Sequence, residues 1–170
     1  MKHTKPIPSQ QYREIIADLV RKSNSEIVVE IGVYSAKLSK MLSVIPCVRA
    51  LTIIDHWEEW PNKFSVEHME DLYQEVQAWA DTISKVTVLR KDSNEAAHFF
   101  GPETIDFWEH DGGHKYEVLK ADIESWLPKV KPGGIMSGDN YEAPSVAQAV
   151  DERFPSANII GKGRVWWARK

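Results

Sequence analysis

Along most of this chain, short apolar runs alternate with segments whose apolar residues recur at helical spacing. The runs at 25–31, 48–54, 86–89, 105–109 and 135–137 read as buried strands. Between them lie amphipathic stripes. Ile15, Ile16, Leu19 and Val20 predict a first helix over 10–21. Leu38, Met41, Leu42 and Ile45 predict a second, with Ser35 as N-cap and Pro46 as stop. Ser65 precedes the longest stripe, Val66, Met69, Leu72, Tyr73, Val76, Trp79, Ala80 and Ile83. A short helix over 95–100 follows. Tyr116, Leu119, Ile123, Trp126 and Leu127 form a further stripe, ended by Pro128, with Lys131-Pro132-Gly133-Gly134 expected as a turn. Val146, Ala149, Val150 and Phe154 mark the last helix, and 158–167 reads as a hairpin about a Gly-rich turn. The pattern predicts a doubly wound α/β domain: a mostly parallel, seven-stranded sheet with an antiparallel C-terminal hairpin.

Long crossovers make consecutive strands parallel and right-handed in connection, so their carboxyl ends share one rim. Each parallel strand exits into polar residues: Glu30 with Gly32, Asp55, Asp92 with Ser93, Asp111, and Asp139 with Asn140. Any one such cluster is explained by turns and helix caps. A cluster at every exit points instead to a ligand in the crevice where open α/β sheets bind.

Composition narrows the picture. The 170 residues suffice for one domain, with residues 1–9, which hold two prolines, expected as a loose arm. The apolar share of 42% is that of a globular chain. The net charge of −4 speaks against a broad basic face for nucleic acid. Cys47 is the only cysteine, which excludes an intrachain disulfide and multi-cysteine zinc sites. The start lacks the apolar run of a signal peptide, and no membrane span is evident, so a cytoplasmic location is expected.

The first loop, Glu30-Ile31-Gly32-Val33-Tyr34-Ser35-Ala36, is not the dinucleotide fingerprint: Tyr34 and Lys37 stand where further glycines would be needed. This weighs against NAD or FAD and is compatible with a nucleoside lacking phosphates. Asp55, one strand–helix unit later, suits a ribose diol.

Taken together, Glu30-Ile31-Gly32, Asp55, Asp92-Ser93, the stretch from Asp106 to Tyr141 and the closing Val165-Trp166-Trp167 resemble a class I S-adenosylmethionine-dependent methyltransferase. The stretch is similar to that of a small family whose hallmark runs I-D-G-D-H-x-Y-E and then L-x-P-G-G. The resemblance implies that Glu30 and Gly32, with Tyr34 and Ser35 in the same loop, line the methionine end of the cofactor. It implies that Asp55, with His56, holds the ribose, and that Asp92 and Ser93 flank the adenine, with Asp111 also at the cofactor. The chain departs from the family in its missing loop glycines, in Gly113 where the hallmark has a second acid, and in Trp108-Glu109-His110 where that strand is usually apolar.

A second resemblance, to catechol-type O-methyltransferases, implies a divalent cation such as Mg²⁺ on Asp111, Asp139 and Asn140. Such a cation prefers hard oxygen ligands and acidifies a bound hydroxyl. The alternative is that Asp139 and Asn140 only shape a loop and that Asp111 only contacts the cofactor. His114, three residues past Asp111, is the candidate general base, imidazole being the side-chain type best suited to proton transfer at working pH; its other roles would be a helix cap or a metal ligand. As bases, His56 and His110 are weaker candidates, each expected to make one loose contact. Trp79 and Trp126 fall on stripes and read as core, while Trp57 and Trp60 either pack or wall the pocket beside Asp55. The leading expectation is O-methylation of a small-molecule hydroxyl on a sugar or natural product, with pocket closure by a second copy compatible with the short chain. The alternatives are a binding or regulatory module that keeps the fold without the reaction, and a methyltransferase for RNA or protein.

Overall fold

The computed structural model describes residues 8–60 and 62–170. Most of the expected arm therefore lies outside the described residues, and Ser9 already belongs to the first helix, α1 (Ser9–Ser23). Then follow β1 (Ile27–Ile31), α2 (Lys37–Ser43), β2 (Ala50–Asp55), α3 (Val66–Ala80), β3 (Val86–Arg90) and α4 (Ser93–Ala97). The second half holds β4 (Ile105–His110), α5 (Tyr116–Trp126), a 3₁₀ turn (Leu127–Lys129), β5 (Val130–Gly138), α6 (Pro144–Arg153), β6 (Asn158–Ile160) and β7 (Val165–Arg169).

The seven strands form one sheet in the order β3-β2-β1-β4-β5-β7-β6. β1 to β5 pair in parallel, and β7 inserts antiparallel between β5 and β6. This is the Rossmann-like sheet that the alternation predicts. The order reverses between β1 and β4, which makes their carboxyl ends the crevice of the sheet. Alternate residues of the central strands feed two cores. Val28, Ile53 and Phe107 pack under α1 to α3, while Val29, Ile54, Trp108 and Met136 pack under α4 to α6 with Trp126 and Trp166. Among the described residues no helix is long and apolar enough to cross a membrane.

Three local expectations are corrected. Ser35 does not cap α2; the N-cap position is Ala36 at φ 56°, with no side-chain cap. α3 stops at Ala80, and Ile83 closes a separate turn onto the Ala80 carbonyl. Lys131–Gly134 is not a turn but an irregular start of β5, because the chain end supplies the missing partner: Gly133 N–H donates to Lys170 O (2.9 Å) and Lys170 N–H to Gly134 O (3.0 Å). Ser65 does cap α3, accepting from His68 N–H at 3.3 Å.

Candidate functional site

Gly32 leaves β1 at φ +84°, and its N–H bonds Ile54 O at 2.9 Å. A side chain here would collide with the Asp111 carbonyl and come within 2.6 Å of Gly112 N. Only glycine lets the β1 and β4 loops meet. Tyr34 and Ala36 also take positive φ, 49° and 56°, as does Trp57 at 46° in the next loop. Such conformations are costly for residues with a Cβ and gather where surrounding contacts impose them. At Tyr34 and Trp57 it is Asp55 that imposes them: Tyr34 N–H donates to its Oδ2 at 2.9 Å and Trp57 N–H to its Oδ1 at 3.0 Å. Each carboxylate oxygen keeps a lone pair for a further donor. The Trp57 indole then donates to Tyr34 O at 3.0 Å and is buried, so Trp57 belongs to the core. Trp60 is exposed, bridged to Phe64 and covered by Lys63; neighbouring Pro61 lies outside the described residues. His56 turns its Nδ1 to the Glu58 N–H.

One layer deeper, Glu30 on β1 and Glu109 on β4 are cross-strand partners, both buried. Tyr12 of α1 donates to Glu109 Oε1, while Glu30 Oε2 and Glu109 Oε2 meet no partner among the described residues. Burial, and then the Asp55 charge, pushes Glu30 up to about 8. Burial, with Asp111 and Glu30 beside it, pushes Glu109 well above the usual carboxyl range. Tyr12 is raised as well, by burial first and by Glu109 next. Two facing acids in a dry layer cannot both ionise, so this layer carries protons at neutral pH.

Above it, at the exits of β4 and β5, three side chains converge. Asp111, His114 and Asp139 each present one ligand atom, all within 4.8 Å of one another. His114 Nε2 lies 3.0 Å from Asp139 Oδ1 and 3.8 Å from Asp111 Oδ1. Arg164 Nη2 donates to the other Asp139 oxygen at 2.7 Å. Burial alone would raise Asp139, but His114 and Arg164 outweigh it and hold the carboxyl below its ordinary value. Asp111 is pushed the other way, by enclosure first and by Asp139 next; its side chain keeps 38% exposure, so water softens that shift. Asn140, at φ 54°, lays its amide against Asp139. Turned with its nitrogen inward, the amide donates to Asp139 Oδ1 at 3.0 Å and also to Oδ2; turned with its oxygen inward, it accepts from Arg164 Nη2 at 3.4 Å but sets that oxygen against the carboxylate, so the first orientation is assigned from the hydrogen bonding.

The structure thus brings Glu30, Gly32, Tyr34, Asp55, Asp111, His114, Asp139 and Asn140 to one rim. The adenine pair is engaged locally: Asp92 caps α4 through Asn94 N–H (2.8 Å), and the Ser93 hydroxyl accepts from the Trp126 indole (2.9 Å). His110 is no loose contact, since its Nε2 lies 2.8 Å from Asp122 Oδ2 with both side chains buried. Sequence reasoning missed Tyr12 and Arg164. Tyr12 meets Glu109 only because α1 folds back over the sheet. Arg164 had a readable signal, because an antiparallel strand begins at the rim where its parallel neighbour ends; Gly138 pairs with Trp166, which sets Arg164 beside Asn140.

A family model described as a methyltransferase domain matches residues 29–141. An uncharacterized protein of Sinorhizobium fredii, y4gI, is 32% identical over 112 residues, covering 59% of this chain. The match takes in only 12% of that relative's length. Among solved structures, the O-methyltransferase NovP superposes with a TM-score of 0.71 at 17% identity, over 95% of this chain and 79% of its own. The O-methyltransferase from Bacillus cereus in complex with SAH gives 0.65 at 16%, over 98% and 84%. Spermidine synthase from Thermotoga maritima gives 0.66 at 13%, over 94% and 59%. At these identities the likeness is one of fold.

Proposed function

Because the chain belongs to the methyltransferase-domain family, we propose that it transfers the methyl group of S-adenosylmethionine to a hydroxyl of a small molecule, a sugar or natural-product scaffold. The observation that carries this reading is the meeting of His114 with Asp111 and Asp139 at the crevice of the sheet, beside the Gly32 turn. The cofactor, when bound, supplies a methyl group made electrophilic by a positively charged sulfur. The residues present fit it. Glu30 offers a buried carboxyl oxygen that meets no partner among the described residues, a match for the ammonium of an amino acid. Asp55 is fixed by two backbone N–H groups and can accept from a ribose diol.

On the acceptor side, ionised Asp139 can only accept, so its bond fixes the proton of His114 on Nε2. Nδ1 keeps its lone pair and takes the hydroxyl proton as the oxygen attacks. Most of the acceleration comes from holding the reacting atoms in line, and the base adds about 10²–10⁴-fold. A rim crowded with carboxyls favours neutral or cationic acceptors over nucleic acid. Isothermal titration with S-adenosylmethionine or its demethylated product is expected to give one site per chain; the absence of heat with both would refute the proposal.

One observation favours a second reading, a binding module that keeps the fold without the reaction. Gly113 replaces an acid of the family hallmark, and a Cβ there would press within 2.7 Å of Val118 Cγ1. That reading predicts cofactor binding with no labelled methyl transferred to any hydroxyl acceptor.

A further inference from the structure

The catechol-type arrangement would use oxygens of Asp111, Asp139 and Asn140 to hold a divalent cation. In this chain two of those groups are committed to the protein itself. Asp139, with 1% of its side chain exposed, accepts from His114 Nε2 and the Asn140 amide on one oxygen and from Arg164 on the other. Asn140 points its donor end inward, so its amide oxygen is turned away from Asp139. The guanidinium reaches this place by backbone register. Gly138 pairs with Trp166, and Tyr141 N–H bonds Arg164 O at 2.9 Å, which pins Arg164 across from Asn140. Its side chain is mostly covered, 18% exposed, and rests over the Tyr12 ring at 5.6 Å.

We propose that Arg164 takes the place of the divalent cation. It neutralises and orients Asp139, Asp139 orients His114, and acceptor deprotonation proceeds without a metal. Arg164 is a positioning residue, since it acts on the acceptor only through Asp139 and His114. The physical logic is substitution of one cation by another. A guanidinium delivers permanent positive charge and directional donors to a buried carboxylate, and needs no free coordination site. With His114 on one Asp139 oxygen and Arg164 on the other, a hard cation, which needs several oxygens, would have to compete with donors already in place. This inference rests on the methyl-transfer reading for its meaning, but its test does not.

The test is uptake of Mn²⁺ by the full chain, followed by isothermal titration and by the electron paramagnetic resonance signal of free Mn²⁺. The wild type is expected to bind none below about millimolar concentration. Arg164→Ala, checked for folding by circular dichroism, is expected to gain one Mn²⁺ site at least about tenfold tighter, and adding Asp139→Asn should abolish it. Arg164→Lys keeps a cation in place and is expected to exclude Mn²⁺ like the wild type. Arg164→Gln serves if the alanine variant does not fold. A wild-type protein that takes up one Mn²⁺ per chain, or charge-removing variants that take up none, overturns the assignment. The cofactor titration judges methyl transfer separately, so either idea can fail alone.

Discussion

Glu109 and His110 are neighbours on β4 and face opposite sides of the sheet. Both are buried and polar, yet their situations differ. His110 meets Asp122 Oδ2 of α5 at 2.8 Å, an acceptor matched to an imidazole in an otherwise apolar core, although Asp122 Oδ1 meets no partner among the described residues. Glu109 meets Tyr12 on one oxygen and, among the described residues, nothing on the other, with three further carboxyls around it. The first arrangement holds α5 to the sheet. The second keeps its acids protonated beneath the crevice, and a donor or a cation that entered would favour their ionised form. A buried polar residue with a complementary partner is architecture; one among its like is chemistry in waiting.

The contrast can be broken from either side. Asp122→Ala should be the most damaging change, costing about 3–5 kcal/mol by leaving a buried partner unpaired, and should spare cofactor affinity; a loss below about 1 kcal/mol in urea denaturation would remove His110 from the architecture. On the other face the sign reverses with pH. Glu30 titrates near 4.5 in the unfolded chain and about 8 in the fold, so the folded protein binds more protons between those values. Its contribution is complete below about pH 4.5 and is lost as pH rises to about 8, at no more than about 1.4 kcal/mol per unit. Wild-type stability should therefore fall across that window, and Glu30→Gln or Glu109→Gln should flatten the decline and be more stable at pH 8. Equal slopes in wild type and variants would mean that the acids are solvated. Tyr12→Phe is the mildest test. It removes the Tyr12 hydroxyl that donates to Glu109 Oε1 and should cost about 1–2 kcal/mol, without changing the fold by circular dichroism.

Much of the fold was legible because parallel strands and amphipathic helices write different periods into the chain. Glu30, Asp55, Asp111 and Asp139 were legible for the same reason, since a strand exit fixes which rim a residue occupies. The bulged start of β5 was not, because its partner is Lys170 at the far end of the chain. Nor were the duties of Asp92, Ser93 and His110. Each depends on a local cap or on a side chain from another element, Trp126 or Asp122, which no residue pattern announces.

By itself the sequence determined the order of strands and helices, the doubly wound class and the collection of acids on one edge of the sheet. Tertiary structure alone decided what those acids do. It laid Tyr12 of α1 on Glu109, 97 residues away, and slid β7 in beside β5 so that Arg164 closed over Asp139. The reason is physical: backbone periodicity is a local property of the chain, while the charge state and hydrogen bonding of a buried carboxyl depend on whatever distant segment fills the space above it.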